Sequence, residues 1–286
     1  MLRRRLMVAG IAAIGGILST SCGNSDLPDS FRLEDFRVLA LVADHPEVNP
    51  GDTVAITPLL SDIKGAGRAL SFSAQGCIDS GVGFGAEPTC TDSATETTFA
   101  TKVAVTGLRA PDYTGLAAST ITVKVPPAAV IFAERSAEDQ FNGINYLVTV
   151  QFSVTPSLVV RAFRRIVVST KPAKNENPRY GTTPLLSGSK PLTAAPSVIT
   201  AMHPSLASGT KGTYSFSNPD GSTEKRTEKI STTWYISDGD LSLKVTDDEL
   251  VTEFTPPAVP PKGHDLAIVM VTRDDRDGVT AFVQTF

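Results

Sequence analysis

Short segments that alternate apolar and polar residues recur from Leu33 to the C-terminus, with turn residues between them. The two longest, Ile144–Val154 and Ser157–Thr170, are rich in β-branched side chains and are separated only by Thr155-Pro156 and their neighbours. Alternation with a period of two is typical of half-buried strands. A long amphipathic helix is not indicated anywhere, and we expect one short helical turn within Glu134–Phe141. The pattern predicts an all-β chain of antiparallel β-sandwiches in which the two long runs form a hairpin.

The chain has 286 residues, enough for one large domain or two of ordinary size. The stretch 171–196 is rich in Pro, Gly, Ser and Asn, and it is the best internal boundary between domains. We therefore expect a first β domain over residues 33–172, a linker over 173–195 and a second β domain over 196–286. Trp234 is the single tryptophan, and we expect it in the core of the second domain.

The first 21 residues have the features of a cleaved signal peptide. Three arginines at positions 3–5 precede an apolar run, Leu6–Leu18, and small residues follow at 19–21. Thirteen apolar residues are too few to span a bilayer comfortably as a helix. We expect general secretion, followed in the mature chain by a polar tether over residues 22–32.

The charge balance excludes some partners. The formal net charge is -4, and it becomes about -7 when the three arginines at positions 3–5 leave with the leader. No Lys- or Arg-rich run remains, so a nucleic-acid partner is not expected. Electrostatic attraction to anionic lipid is not expected either, so any membrane attachment needs another source.

The sequence LSTSC, which ends at Cys22, resembles the lipobox of bacterial lipoproteins. Ser21 and Thr20 fit the small residues of that motif, and Ser19 stands where Leu is usual. The resemblance implies that Cys22 is acylated and becomes the N-terminus of the mature chain. Gly23 follows it in place of Asp, which implies anchoring in the outer membrane of a Gram-negative bacterium.

Two further cysteines, Cys77 and Cys90, lie thirteen positions apart in a Gly-rich segment. In an exported protein we expect them to form a disulfide, because the compartment is oxidising. Two free buried thiols are the alternative.

Two segments resemble bacterial immunoglobulin-like modules. RVLALVADHPEVNPGDTVAITPLLSD, from Arg37, is similar to their opening strands. WYISDGDLSL with AIVMVTRDDRDGVT is similar to the second half of such modules, including the polycystic-kidney-disease-like kind. The resemblance implies tandem immunoglobulin-like sandwiches, and it implies nothing about a ligand.

The sequence contains no strong motif for a catalytic or metal-binding site. The three histidines have no second ligand at metal spacing, and a Gly-x-Ser-x-Gly elbow is absent, so we expect no catalytic residues, no cofactor and no zinc. The turn RDDRDG makes Asp274, Asp275 and Asp277 weak calcium candidates. Arg273 occupies the first ligand position, however, and no Glu stands at the twelfth.

The expected role is a non-catalytic cell-envelope lipoprotein. It would be held to the membrane by its lipid and would act structurally or bind an envelope protein or glycan through loops at the sandwich ends. The alternative is a polysaccharide-acting envelope enzyme, or its accessory or carbohydrate-binding module. A cleft with converging carboxylates would favour the enzyme.

Overall fold

A computed structural model describes residues 30–81, 87–90, 96–106, 108 and 119–286. The predicted signal peptide, Cys22 and most of the predicted tether lie outside these residues, so their assignments stay predictions.

The N-terminal half forms a sandwich of two sheets. Sheet 1 has the order β1-β3-β6, and sheet 2 has the order β2-β8-β7-β4-β5. All pairs are antiparallel except β2 with β8. The elements are β1 (Arg37–Ala43), β2 (Glu47–Val48), β3 (Thr53–Ser61), β4 (Leu70–Ile78), β5 (Thr97–Val105), β6 (Ile121–Lys124), α1 (Ala128–Ile131), α2 (Ala137–Asn142), β7 (Ile144–Thr155) and β8 (Leu158–Val168). The predicted hairpin of the two longest strands is confirmed as β7–β8.

The C-terminal half forms a second sandwich. Sheet 3 has the order β16-β14-β18-β19, sheet 4 has the order β10-β9-β11-β17-β15, and β12–β13 form a separate hairpin. The strands are β9 (Tyr180–Ser187), β10 (Lys190–Pro191), β11 (Thr200–Leu206), β12 (Thr213–Ser217), β13 (Thr223–Thr227), β14 (Ile230–Ile236), β15 (Asp240–Leu241), β16 (Val245–Asp247), β17 (Thr252–Thr255), β18 (Ala267–Asp274) and β19 (Val279–Thr285). The all-β fold class is confirmed.

Each sandwich has its own apolar core. Phe72, Tyr146 and Phe152 are buried between sheets 1 and 2. Trp234 is fully buried between sheets 3 and 4, as predicted, and its Nε1 donates a hydrogen bond to Thr246 Oγ1 at 3.0 Å. That bond satisfies the one polar atom that a tryptophan brings into a core.

A third apolar cluster joins the sandwiches. Leu39 and Leu59, on the outer face of sheet 1, pack against Val269 and Val271 of sheet 3. The sheets therefore stack as four layers, in the order 2, 1, 3, 4. Sheet 1 is covered on both faces, which explains the near-continuous apolar runs in β1 and β3.

The first described residues belong to the second sandwich. Phe31 is buried in the core between sheets 3 and 4, where it lies with residues far along the chain. Leu33 N–H donates to Ile236 O at 2.9 Å, and Ile236 N–H donates to Phe31 O at 3.0 Å. Residues 31 and 32, which the polar composition assigns to the tether, are thus part of the folded structure.

The segment 173–195 is not an irregular linker. It contains β9 and β10, and β9 pairs with β11 in sheet 4. Pro184 and Gly181 hide the strand pattern of β9 from a composition argument, although Leu185 is buried. The limits of independently folding domains stay a prediction.

The predicted disulfide is present: Cys77 at the end of β4 is bonded to Cys90. A structural disulfide is typical of exported proteins, because reducing compartments keep thiols free. Within the described part of the chain, neither helix has the length and apolar character needed to cross a membrane.

Candidate binding groove

A groove with a volume of about 360 Å³ lies where the chain after β8 passes the β12–β13 hairpin. It opens at the junction of the two sandwiches. Its principal lining residues are Phe141 of α2, the segment Lys171–Asn177, Thr213–Ser215 of β12, Glu228 and Arg276.

The two walls of the groove are fixed to each other by Asn142, the last residue of α2. Its Nδ2 donates to Ser217 O at 2.7 Å, and its Oδ1 accepts from Ser217 N–H at 2.9 Å. These two bonds reproduce the pairing of a strand and hold the end of β12 against α2. Ser136 begins α2 by accepting a hydrogen bond from Asp139 N–H, so the helix itself is capped.

A guanidinium at the groove lies between two carboxylates: Arg276 and Glu228 line the groove, whereas Glu47 lines a neighbouring pocket together with Arg276. Arg276 donates from Nη2 to Glu47 Oε2 and from Nη1 to Glu228 Oε1, the latter at 2.9 Å. The carboxylate side chains are 1% and 8% exposed. Glu47 also accepts from Ser169 Oγ and from Asn175 N–H. Glu47 comes from the first sandwich and Glu228 from the second, so Arg276 joins the two halves.

Two lysines add positive charge beside Glu47. Lys171 Nζ lies 3.6 Å from Glu47 Oε1 and donates to Asn142 O at 3.2 Å. Lys174 Nζ donates to Ser169 O at 2.6 Å. Burial lowers the pKa of both lysines, because the charged ammonium loses solvation, and the charge of Glu47 opposes that effect.

Tyr214 presents its ring to the groove. The Arg276 guanidinium carbon lies 4.5 Å from the ring centroid, and Lys171 Nζ lies 5.9 Å from it. Both distances are within the range of cation–π attraction. The ring is therefore held in place by the same cations that pair with Glu47.

The carboxylates at the groove have hydrogen-bond partners within the protein. Glu47 and Glu228 are engaged by Arg276, and each accepts further hydrogen bonds from neighbouring donors. Tyr214 and Phe141 line the groove together with polar residues that include Asn175 and Asn177. An apolar face bordered by hydrogen-bonding groups is typical of small-ligand sites.

The side chains of the acidic turn RDDRDG, which joins β18 to β19, accept hydrogen bonds from nearby backbone N–H groups. Asp274 Oδ1 accepts from Gly278 N–H at 2.6 Å, and Asp275 Oδ1 accepts from Lys229 N–H at 3.2 Å. Burial raises the pKa of Asp274 and Asp277. Over the described residues, no three His, Cys, Asp or Glu side chains gather into a group that would hold a metal ion.

The groove residues were not found from the sequence. Glu47, Lys171, Tyr214, Glu228 and Arg276 come from separate places in the chain and form no motif. The one available signal was Arg276, a cation inside the acidic turn RDDRDG. The sequence also directed attention to loops at the sandwich ends, whereas the groove lies at the junction.

Comparison with known proteins adds little. Neither a protein-family model nor a curated protein matches the chain. Among solved structures, three N-terminal domains of the bacteriophage RB49 Highly Immunogenic Outer Capsid protein (Hoc) are similar at 12% identity and a TM-score of 0.21, covering 87% of this chain and 58% of that one. Dimeric latent PorU from Porphyromonas gingivalis is similar at 8% identity and a TM-score of 0.23, covering 89% and 24%.

Extracellular domains 3–5 of Drosophila OTK are similar at 11% identity and a TM-score of 0.20, covering 88% of this chain and 96% of that one. The chain thus spans less than two thirds of the first two proteins. Similarities this low assign no function.

Proposed function

We propose that this protein is a non-catalytic lipoprotein of the cell envelope, anchored through Cys22 in the outer membrane of a Gram-negative bacterium, that binds an envelope glycan in the groove. The observation that carries the binding role is the Tyr214 ring, fixed in the groove wall by Arg276 at 4.5 Å. A sugar offers an apolar ring face and peripheral hydroxyls, which suit an aromatic ring next to polar side chains.

The state of the carboxylates supports a non-catalytic role. Glycoside hydrolysis needs one carboxyl group that gives a proton and a second that acts as base or nucleophile. Glu228 lines the groove and Glu47 lines a neighbouring pocket, and both are ion-paired with Arg276. Removing the charge of either carboxylate would leave Arg276 partly unpaired. The two side chains are therefore suited to a structural role, in which they hold Arg276 in place.

Support for the anchor comes from the sequence and from the disulfide. The leader, the lipobox-like LSTSC and the polar residues after it are consistent with a lipid-bearing N-terminus. The Cys77–Cys90 disulfide is consistent with an exported chain and leaves Cys22 as the remaining cysteine.

The binding role is tested with the full chain in non-ionic detergent. Binding to purified sacculi and to an array of bacterial polysaccharides is compared for the wild type, Tyr214→Ala and Phe163→Ala. Phe163 is a matched control, because it is a 46% exposed ring on β8, away from the groove. We expect loss of binding in Tyr214→Ala alone. Equal binding by Tyr214→Ala and the wild type would refute the groove assignment.

The same incubations test the alternative class. Shortened glycan products that disappear in Glu47→Gln would favour a polysaccharide-acting enzyme. Capture of an envelope protein by a photo-crosslinker at position 214, without glycan binding, would make the partner a protein.

The anchor is tested by growth with radiolabelled palmitate and by mass measurement of the mature N-terminus. We expect a labelled, membrane-bound wild type and an unlabelled, released Cys22→Ala variant. A wild type that is membrane-bound but carries no lipid contradicts the proposed anchor.

A further inference from the structure

A second pocket, with a volume of about 320 Å³, lies between β1 and β8. Its charged lining consists of Arg161 and Arg164 of β8, Arg273 of β18, and Glu87. Residues Val38–Leu41 of β1, Ala162 and Phe163 of β8, and Val279 of β19 line the rest. Three guanidinium groups against one carboxylate make a cationic pocket on an otherwise acidic protein.

Arg164 is the central group of this pocket. Its side chain is buried, with 6% of the residue exposed, and its Nη2 donates to Asp277 O. Its Nε has no hydrogen-bond partner among the described residues. A buried donor without an acceptor is unfavourable because its lost hydration is not replaced, so an acceptor inside the pocket would be strongly favoured.

The neighbouring cations leave room for an anion. Arg273 donates to two neutral acceptors, Thr233 Oγ1 at 3.2 Å and Leu39 O at 3.3 Å. Arg161 is 61% exposed at the rim and lies 3.6 Å from Glu87. Burial lowers the pKa of Arg164 to about 10, and the charge of Arg273 acts in the same direction, while Asp277 and Asp274 oppose it. At neutral pH the guanidinium is still charged.

We infer that the pocket between β1 and β8 is an oxyanion-binding site, in which Arg161, Arg164 and Arg273 together bind a phosphate, sulfate or carboxylate group. Guanidinium groups suit this chemistry because their planar N–H donors match two oxygens of one anion. The anion supplies the acceptor that Arg164 Nε lacks and separates two like charges. The site is independent of the glycan groove and of the lipid anchor.

The test is equilibrium dialysis of the full chain in non-ionic detergent, at low and constant ionic strength, against radiolabelled phosphate, sulfate and glucuronate. We expect one saturable site for at least one of these anions. Tighter binding of phosphate or sulfate would identify a tetrahedral anion, and tighter binding of glucuronate a carboxylate.

Arginine variants distinguish anion binding in this pocket from non-specific binding to positive charge on the protein surface. Arg161→Gln, at the exposed rim, keeps the buried groups intact, and we expect about tenfold weaker binding from the loss of one charge-assisted contact. Arg273→Gln should weaken binding to a similar extent. Arg135→Gln removes an exposed arginine between α1 and α2 and should leave the affinity unchanged.

Arg164→Gln should abolish binding, and circular dichroism reports whether that variant folds. The inference is overturned if the wild type binds none of the three anions at about 10 mM, or if Arg161→Gln and Arg273→Gln bind as the wild type does.

Discussion

Removing Arg276 should weaken the junction of the two sandwiches more than any exposed charge would. Arg276→Met keeps an apolar stem of similar length but leaves Glu47 and Glu228, 1% and 8% exposed, without their guanidinium. Loss of one partner of a buried ion pair costs about 3–5 kcal/mol, because the remaining charge is desolvated. Lys171 still lies 3.6 Å from Glu47, so we expect the lower end, about 3 kcal/mol.

The assay is urea unfolding, followed by the fluorescence of Trp234 and by far-UV circular dichroism. Trp234 is the single tryptophan and is fully buried, so its emission reports the second sandwich. A loss of about 3 kcal/mol corresponds to a fall in the melting temperature of roughly 6–12 °C for a chain of this size.

Two further variants show whether the stability lost in Arg276→Met comes from the buried, unpaired carboxylates. Arg226→Met breaks an exposed pair with Glu224, and we expect a loss below about 1 kcal/mol. The triple variant Glu47→Gln, Glu228→Gln, Arg276→Met removes the stranded charges and should recover part of the loss. The reasoning fails if Arg276→Met loses less than about 1 kcal/mol, or if the triple variant is no more stable than Arg276→Met alone.

Three more predictions use the same unfolding assay. Replacing Cys77 and Cys90 by Ser removes a crosslink over thirteen positions and should cost about 3 kcal/mol. Trp234→Phe leaves Thr246 without its buried donor and opens a cavity, so it should cost about 2 kcal/mol by circular dichroism. Burial raises the pKa of Asp277, so its charged form opposes folding at neutral pH, and the wild type should gain stability relative to Asp277→Asn as the pH falls from 7 towards 4.

Each of these has a clear contrary result. Equal stability of the Cys variant under oxidising conditions would mean that the loop is not constrained by the disulfide. A loss below 0.5 kcal/mol for Trp234→Phe, on the order of a surface substitution, would contradict the role of the Thr246 bond. Asn tolerates the positive φ of 67° at position 277, so a flat pH difference would refute the burial argument and not reflect backbone strain.

The sequence was sufficient for the parts of the fold that depend on local pattern. The β7–β8 hairpin follows from two long alternating runs, and the burial of Trp234 follows from its size. The disulfide follows from the expected compartment and the count of cysteines. Each of these features involves residues that are close together in the chain or a single residue. Few alternative structures are therefore compatible with the sequence at these places.

The features that could not be predicted from the sequence depend on contacts between segments that are far apart in the chain. Glu47, Glu228 and Arg276 meet only because the two sandwiches pack against each other, and each residue alone has the sequence context of an ordinary surface charge. The strand β9 was hidden because Pro and Gly dominate the composition around it. Phe31 was assigned to the tether because polar residues surround it, and its partners lie in the second sandwich.

The place of Phe31 has a consequence for assembly. Ribosomes release residues 31–33 first, but Ile236, which pairs with them, appears some two hundred residues later. Until then the segment lacks its partner, and any second sandwich that has already formed offers it an equivalent position. Exchange of this segment between two molecules would use the same contacts as the native fold, so residues 31–33 are the natural point at which this chain would domain-swap into a dimer.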